Sequence, residues 1–322
     1  MKIFVTRAIP KKGLDLLEQY HEIEVNPHNR VLTKEEIIEG MKGKNGLLCL
    51  LTDTIDKEII ESEPKLKMIA NYAVGYNNID VSTATKNQIP VSNTPGVLTD
   101  ATAEMAWALL LSVSRRIVES DTFTREGNFK GWDPMLLHGL EVQGKTLGII
   151  GAGRIGTAVG LKSQGFQMNV LYTDHQVNKT LEEIVQAKKV TFDELLQTSD
   201  FISVHVPLID ETYHLISEKE LQRMKSTAVL INTSRGPVID EEALIQALKQ
   251  QWIFGAGLDV YEHEPQVHPG LLPLKNVVLQ PHSASATTES RTNMATMAAE
   301  NMLAGLQGNI PPNCINPELF NK

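Results

Sequence analysis

Short apolar runs alternate with amphipathic stretches through the first hundred residues. Helical patterns cover residues 11–20 and 33–41, and the second opens with Thr33-Lys-Glu-Glu36, the spacing of a capping box. Strand-like apolar runs occupy residues 3–5, 47–51 and 68–70. This alternation predicts a β/α domain with a mostly parallel sheet.

A second β/α series follows a long helical pattern. That pattern begins at Asp100, which is expected to cap the helix, and it is long enough to bridge two lobes. One of its faces is apolar, with Ala106, Leu110, Val113 and Ile117 at helical spacing. After a turn-rich segment at 125–134, the predicted strands are residues 146–150, 168–172, 201–206, 228–231, 255–258 and 277–279. Six strands with intervening helices are typical of a doubly wound sheet.

The last helical stretch, residues 287–306, follows the final strand of the second series. We expect it to return to the first lobe, which makes that lobe discontinuous in sequence. The predicted fold is therefore α/β, with two Rossmann-like or flavodoxin-like domains and a cleft between them. Residues 1–99 with 286–322 form the predicted substrate domain, and residues 100–285 form the predicted dinucleotide-binding domain.

A glycine-rich loop lies between the first strand and first helix of the second series. It contains Gly151, Gly153 and Gly156 in the pattern GxGxxG, which is weak alone but gains weight from the flanking strand and helix. Gly151 permits a tight turn, Gly153 lets a pyrophosphate approach the backbone, and Gly156 lets the helix pack closely. The alternative is a glycine turn without a ligand.

Asp174 ends the next predicted strand, 18 residues after Gly156 (174 − 156). A carboxylate at this point can accept hydrogen bonds from both ribose hydroxyls of NAD and repels a 2′-phosphate. His175 follows it, where an arginine would favour the phosphate. We therefore expect NADH to be preferred over NADPH. An ordinary turn aspartate is the alternative.

Composition excludes several classes of function. The chain of 322 residues has no apolar run near the roughly 20 residues of a membrane span, and its net charge of −9 argues against coating nucleic acid. Its only cysteines are Cys49 and Cys314, which is typical of a reducing cytoplasm. No set of histidines and cysteines has zinc-ligand spacing, so no metal is expected.

Arg235, Glu264 and His282 each follow a strand-like apolar run, so all three are expected at one rim of a parallel sheet. Reduction of a ketone needs a proton donor and a group that holds the substrate. His282 can donate the proton, and Glu264 can orient it and favour its charged form. Arg235 can hold a carboxylate with two parallel hydrogen bonds. Each residue alone also has a purely structural interpretation.

Over nearly its full length the chain resembles the D-isomer-specific 2-hydroxyacid dehydrogenase family. Separations of 29 residues from Arg235 to Glu264 (264 − 235) and of 18 to His282 (282 − 264) are similar to the family's catalytic spacing. The segments that carry the resemblance are Gly-Ile-Ile-Gly-Ala-Gly-Arg-Ile-Gly at 148–156, His-Val-Pro-Leu at 205–208, Ile-Asn-Thr-Ser-Arg-Gly at 231–236, Gly-Leu-Asp-Val-Tyr at 257–261 with Glu-Pro at 264–265, and Pro-His at 281–282.

The resemblance implies a role for each site residue. Arg235 holds the substrate, while His282, partnered by Glu264, acts as acid in reduction and base in oxidation. The backbone N–H groups of the loop at Val74 and Gly75 receive the substrate carboxylate, and Leu51 faces the same cleft. The residues implied to bind the dinucleotide are Gly151, Gly153, Arg154, Ile155, Gly156, Asp174, Val206, Pro207, Thr212, Thr233, Asp259 and His282.

Residues 93–104 look most like the glyoxylate and hydroxypyruvate reductases of the family. Two features depart from that branch. Met135-Leu136-Leu137 follows Pro134 where relatives often carry an aromatic contributed to a neighbouring subunit, and Asp174 disfavours the NADP that several of them prefer.

The predicted function is NADH-dependent reduction of glyoxylate or hydroxypyruvate to the D-2-hydroxy acid, and the resemblance favours a homodimer. Two alternatives stay open. One is a D-2-hydroxyacid dehydrogenase for a bulkier keto acid, and the other is a non-enzymatic, dinucleotide-sensing protein similar to a corepressor.

Overall fold

The computed structural model describes residues 1–320. The chain divides into two compact units. The first unit comprises Met1–Leu98 together with the segment from Ala286, and the second unit is Thr99–Ser285.

The first unit contains a five-stranded parallel sheet in the order β2-β1-β3-β4-β5. This order is that of a flavodoxin-like sheet. Its strands are β1 Lys2–Val5, β2 Glu22–Val25, β3 Gly46–Leu50, β4 Met68–Tyr72 and β5 Val91–Ser92. Its helices are α1 Lys11–Glu18, α2 Lys34–Met41, α3 Lys57–Glu61, α4 Val81–Lys86 and α12 Thr288–Leu306, followed by a 3-10 turn at Pro317–Phe320.

The predicted capping box of α2 is confirmed. The Thr33 hydroxyl accepts the N–H of Glu36, and the Glu36 carboxylate accepts the N–H of Thr33. The two strands that the sequence pattern missed, β2 and β5, are the edges of the sheet. β2 exposes Glu22 and Glu24, and β5 is only two residues long, so neither presents an apolar run.

Helix α12 packs in the first unit although it follows the last strand of the second. The Tyr72 hydroxyl donates to the carbonyl of Arg291 at 2.7 Å. A Cβ at Gly13 in α1 would lie 2.5 Å from the carbonyl oxygen of Ala295. Glycine therefore allows the backbones of α1 and α12 to approach closely.

The second unit contains a seven-stranded parallel sheet in the order β12-β11-β10-β9-β6-β7-β8. Counted from β8, its first six positions reproduce the Rossmann order 3-2-1-4-5-6, and β12 is added at the opposite edge. The strands are β6 Thr146–Ile150, β7 Asn169–Thr173, β8 Lys188–Lys189, β9 Phe201–Val204, β10 Val229–Asn232, β11 Gly255–Leu258 and β12 Val277–Leu279. The helices are α5 Thr99–Ser114, α6 Ile117–Arg125, α7 Arg154–Lys162, α8 Lys179–Val185, α9 Phe192–Thr198, α10 Glu218–Arg223 and α11 Glu241–Lys249.

All six strands predicted in this unit are confirmed. The seventh strand, β8, was missed because it is an edge strand of two exposed lysines. Edge strands often carry charged side chains, especially lysine, which discourage pairing with another chain, so they need no apolar run.

The prediction of one long helix from Asp100 through Ile117 was wrong. Helix α5 begins at Thr99, so Asp100 lies in its first turn, and it ends at Ser114. Arg116 has a left-handed conformation, with φ of 52°, and a second helix starts after it. The carbonyl of Ser114 accepts the N–H of Leu140, a contact from outside the helix that no local pattern encodes. Ile117 is consequently 49% exposed instead of lying on the buried face.

Candidate active site

Three adjacent strands of the second unit end level with one another. Asn232, Leu258 and Leu279 are in register at the carboxyl ends of β10, β11 and β12. Arg235 lies three residues after β10, and His282 lies three residues after β12 (235 − 232 and 282 − 279). The loop after β11 supplies Glu264. Ligands of open α/β sheets bind at this edge.

The loop that carries Arg235 is fixed by the last residue of β10. The Asn232 amide donates to the carbonyl of Arg235 at 3.0 Å, and its oxygen accepts both the N–H and the hydroxyl of Ser234. Gly236 packs on the loop after β11, because a Cβ there would lie 1.9 Å from the backbone of Tyr261. The Arg235 loop therefore cannot be displaced without moving the loop that leads to Glu264.

Burial lowers the pKa of the Arg235 guanidinium, and the neighbouring Glu264 carboxylate acts in the opposite direction. The Arg235 Nη1 donates to the carbonyl of Ser234 at 2.8 Å. A partly buried cation beside one carboxylate can accept a second anion at modest desolvation cost, since it has already lost part of its contact with bulk water.

Glu264 and His282 form a hydrogen-bonded pair, with 2.8 Å between the His282 Nδ1 and the Glu264 Oε2. The other Glu264 oxygen accepts the N–H of Tyr261 at 3.1 Å. Burial acts to raise the pKa of Glu264, but the bond and charge of His282, the Tyr261 N–H and Arg235 together hold that pKa below its usual value. Glu264 is therefore a carboxylate near neutral pH and fixes the ring of His282. Their side chains are 24% and 28% exposed, so a small molecule can reach the pair.

Asp259 forms hydrogen bonds that hold the backbone at His282. Its backbone carbonyl accepts the N–H of His282, and its fully buried carboxylate accepts the N–H groups of Ser283 and Ala284 at 2.7 and 2.9 Å. Burial nevertheless raises the pKa of Asp259. The observed bonds show that Asp259 holds the backbone at His282, and the cofactor contact implied by the resemblance stays a prediction.

Two residues outside the predicted site, Asn232 and Tyr261, orient the site residues. Besides its backbone bond to Glu264, Tyr261 donates its hydroxyl to the carbonyl of Gln280, which ties the loop after β11 to the end of β12. Both residues lie inside the segments that carried the family resemblance. A polar residue that ends an apolar run was the signal available for Asn232.

The glycine loop joins β6 to α7. Gly151 has φ of +91°, and a Cβ there would clash with the backbone of His205 and Val206 after β9. Gly156 packs against the Gly151 carbonyl, where a Cβ would lie only 2.2 Å away. Around Gly153, by contrast, a Cβ would meet nothing within 4 Å. That open space at the start of α7 leaves the backbone accessible to a phosphate.

Asp174 follows β7 and bonds to this same loop. Its Oδ2 accepts the N–H of Ala152 at 2.8 Å, and its Oδ1 accepts the N–H of Gln176. Asn178, which was not predicted, donates to the Ala152 carbonyl and to the Thr157 hydroxyl, both at 2.7 Å. These bonds set the carboxylate beside the glycine loop.

The remaining predicted cofactor residues lie along the same sheet edge. Arg154 and Ile155 open α7, and Val206 and Pro207 follow β9. The Thr212 hydroxyl donates to the Pro207 carbonyl at 2.6 Å. The Thr233 hydroxyl is buried and has no hydrogen-bond partner among the described residues. An unpaired buried hydroxyl and an open glycine backbone on one sheet edge fit a dinucleotide.

Leu51, Val74 and Gly75 belong to the first unit and lie at the carboxyl edge of its sheet. Leu51 directly follows β3, and Val74 and Gly75 follow β4. The amide of Asn78 donates to the carbonyls of Leu50 and Asp53 and so holds the turn that contains Leu51.

In the part of the chain that the structure describes, no three or more acidic, histidine or cysteine side chains are grouped as metal ligands. No helix there has the length and hydropathy to cross a bilayer.

Comparison with known proteins places these features in a family. The family model for the D-isomer specific 2-hydroxyacid dehydrogenase, NAD binding domain, matches residues 107–284. The chain is 51% identical to the glyoxylate reductase of Thermococcus litoralis over 323 residues, 99% of this chain and 98% of that protein.

Two solved structures extend the likeness to the fold. The glyoxylate reductase from Paecilomyes thermophila superposes with a TM-score of 0.88 at 31% identity, covering 99% of both chains. The NADPH-dependent glyoxylate/hydroxypyruvate reductase from Sinorhizobium meliloti, in complex with NADP and malonate, superposes with a TM-score of 0.86 at 30% identity, covering 98% of this chain and 96% of that one.

Proposed function

This chain belongs to the D-isomer specific 2-hydroxyacid dehydrogenase family, and from that premise we propose that it reduces glyoxylate or hydroxypyruvate to the 2-hydroxy acid. It is an oxidoreductase that uses a nicotinamide dinucleotide. The observation that supports the reaction best is the Glu264–His282 pair at 2.8 Å, at the sheet edge that also carries Arg235 and the glycine loop.

A dihydronicotinamide bound at the glycine loop would supply the hydride that the carbonyl carbon of the keto acid accepts. His282 donates its Nε2 proton to the carbonyl oxygen as negative charge develops there, which completes the hydroxyl group. Glu264 holds the Nδ1 proton throughout, so the ring keeps one orientation during the reaction. Arg235 binds the substrate carboxylate and polarises the adjacent carbonyl.

The proposal is tested by a panel of keto acids. We expect kcat/KM to be highest for glyoxylate or hydroxypyruvate and lower for pyruvate and bulkier acids. The measurement is loss of absorbance of the reduced cofactor with each acid at several concentrations. Binding of NADH without turnover of any keto acid would contradict it and favour a dinucleotide sensor.

We further propose that NADH is preferred over NADPH, because the Asp174 carboxylate lies beside the glycine loop. A phosphate near this carboxylate costs up to about 4 kcal/mol at ~4 Å and an effective dielectric of ~20, a ceiling that solvent reduces. Asp174→Asn should raise kcat/KM for NADPH about tenfold relative to NADH. Asp193→Asn, a matched change at an aspartate of helix α9 that pairs with Arg223, should leave the ratio unchanged. An unmodified enzyme that favours NADPH would overturn this preference.

We propose that the protein forms a homodimer, and also that it is located in the cytoplasm. Trp132, Met135 and Phe129 are 85%, 74% and 58% exposed, and exposed apolar patches of this kind mark protein interfaces. Cys49 and Cys314 are free thiols, as a reducing compartment favours. Light scattering should give twice the chain mass, and cell fractionation should find the protein in the cytoplasmic fraction. A monomer would contradict the proposed homodimer. A secreted protein would contradict the proposed cytoplasmic location.

A further inference from the structure

The loop after β4 is held by its carbonyl groups. The carbonyl of Ala73 accepts the backbone N–H of Thr94 at 2.8 Å, and the carbonyl of Val74 accepts the side-chain amide of Asn93 at 2.7 Å. Both donors belong to one two-residue segment that follows β5. Two consecutive peptide planes of the loop are therefore fixed from the same side.

These bonds also determine where the next N–H groups point. In a trans peptide the N–H is directed opposite to the C=O of the same plane. The N–H groups of Val74 and Gly75 share their planes with the carbonyls of Ala73 and Val74, so both point away from the segment 93–94. Among residues 1–320 neither N–H has a protein acceptor. Two parallel donors without a partner match the two oxygens of one carboxylate.

Asn93 is itself held by the C-terminal part of the chain. The amide of Asn301, which is fully buried in α12, donates to the carbonyl of Asn93 at 3.1 Å and to the side chain of Asn313 at 3.2 Å. The backbone N–H of Asn93 donates to the carbonyl of Asn313 at 3.3 Å. Both backbone groups of Asn93 are thus hydrogen-bonded to the C-terminal part of the chain. These bonds hold the segment 93–94 independently of its contact with the loop after β4.

We propose that Asn93 is a positioning residue for substrate recognition: its side-chain amide aims the N–H of Gly75 at the carboxylate of the keto acid. This inference rests on the proposed function. Asn93 does not contact the reacting atoms, so its role is to keep the receptor rigid before the substrate arrives. Preorganised donors bind an anion without the cost of ordering the loop on binding.

Asn93→Ala tests the inference, with Asn87→Ala as the matched control. Asn87 makes the same kind of bond in the same unit, from its amide to the carbonyl of Thr83 at 3.0 Å, but at the end of α4. We expect Asn93→Ala to raise KM for glyoxylate about fivefold to tenfold, the effect of losing one hydrogen bond that orders a charged contact. We expect kcat and the KM for NADH to stay within about twofold, because neither depends on this loop.

A second readout does not need turnover. Oxamate, an unreactive analogue of the keto acid, can be titrated into the enzyme–NADH complex while cofactor fluorescence is followed. Its affinity should fall by the same factor in Asn93→Ala and stay unchanged in Asn87→Ala. If Asn93→Ala does not fold, Asn93→Ser keeps a donor and should give a smaller loss of the same kind.

The possible outcomes distinguish failure of the role of Asn93 from failure of the proposed function. An active wild-type enzyme whose Asn93→Ala variant keeps its KM and its oxamate affinity overturns the role of Asn93 alone. Equal changes in the Asn87→Ala control, or a parallel change in KM for NADH, also overturn it, since they indicate a general loss of stability. A wild-type protein that reduces neither glyoxylate nor hydroxypyruvate and does not bind oxamate overturns the proposed function together with this inference.

Discussion

The carboxyl edges of the two sheets are built from different chemical groups. In the second unit the edge carries Arg235, Glu264 and His282, which are ionisable side chains that bond to one another or influence each other's charge. In the first unit the edge presents backbone N–H groups, held from behind by neutral side-chain amides such as Asn93 and Asn78. These N–H groups and amides can bind an anion but cannot transfer a proton near neutral pH.

Under the proposed function, the chemical step depends on the second edge alone, whereas both edges bind the substrate. Groups that transfer or stabilise charge in the transition state affect kcat, whereas groups that bind substrate and transition state equally affect KM. Substitutions at the edge of the second unit should therefore lower kcat, and substitutions at the edge of the first unit should raise KM. The contrast fails if both edges respond alike.

The largest effect is expected at the proton donor. His282→Ala should lower kcat for glyoxylate by about 10²–10⁴-fold, the usual contribution of a general acid, with little change in NADH affinity. Steady-state kinetics and NADH fluorescence titration give the two quantities. His268→Ala removes another histidine paired with a carboxylate, Glu242 at 3.3 Å, and should have no such effect. Unchanged turnover in His282→Ala would show that His282 is not the general acid.

Arg235→Lys should lower kcat/KM for glyoxylate by roughly 10–100-fold. Lysine keeps the charge but lacks the planar pair of donors, and charge-assisted hydrogen bonds contribute about 1.5–3 kcal/mol. Both kcat and KM should change, because in the proposed mechanism the guanidinium binds the carboxylate and polarises the carbonyl. The matched control is Arg223→Lys, at an arginine that pairs with Asp193 away from the site. Wild-type kinetics in Arg235→Lys would show that a simple point charge is enough.

A smaller effect is expected at the edge of the first unit. Asn78→Ala removes the donor to the carbonyls of Leu50 and Asp53, at 3.1 and 3.0 Å, and loosens the turn that contains Leu51. KM for glyoxylate should rise about threefold to tenfold while kcat changes little. Steady-state kinetics measures kcat and KM separately and so tests this prediction. A fall in kcat without a rise in KM would contradict the division of roles between the two edges.

The sequence predicted the edge of the second unit better than that of the first. Parallel strands end at a common edge, so polar residues that follow successive apolar runs are brought together whatever their separation in sequence. Arg235, Glu264 and His282 follow this rule. The support of the first edge depends on contacts such as that between Asn93 and Asn301, which are 208 residues apart. No periodic pattern encodes which of many asparagines forms such a bond.

The errors in the fold have a similar cause. The apolar face of α5 was predicted correctly as far as Val113, but the end of the helix depends on the contact between Ser114 and Leu140. The missed strands β2, β5 and β8 lie at sheet edges, where a strand needs neither length nor an apolar run. Local patterns thus identify buried elements and fail where a tertiary contact or an exposed edge decides the conformation.

The two edges should also differ in their response to acid, and this is the smallest effect expected. His205 after β9 is half-buried with its Nδ1 shielded from solvent, and this burial lowers its pKa from 6.5 to about 3. The unfolded chain therefore takes up a proton at His205 before the folded protein does. The corresponding stability is complete above pH 6.5 and declines as pH falls toward 3, by at most about 1.4 kcal/mol per pH unit. The amides that support the first edge do not titrate.

His205→Gln should consequently reduce the acid sensitivity of the second unit. Glutamine can still bond to the Ser203 hydroxyl, which lies 2.7 Å from the His205 Nε2. Urea unfolding at pH 7.5, 6 and 5 should show a smaller loss of unfolding free energy in the variant than in the wild-type protein, with a difference of about 1–2 kcal/mol at pH 5. Hydrogen exchange should place that difference in Thr99–Ser285. Equal losses in both proteins would mean that His205 takes up its proton without unfolding, and that the second edge is no more acid-sensitive than the first.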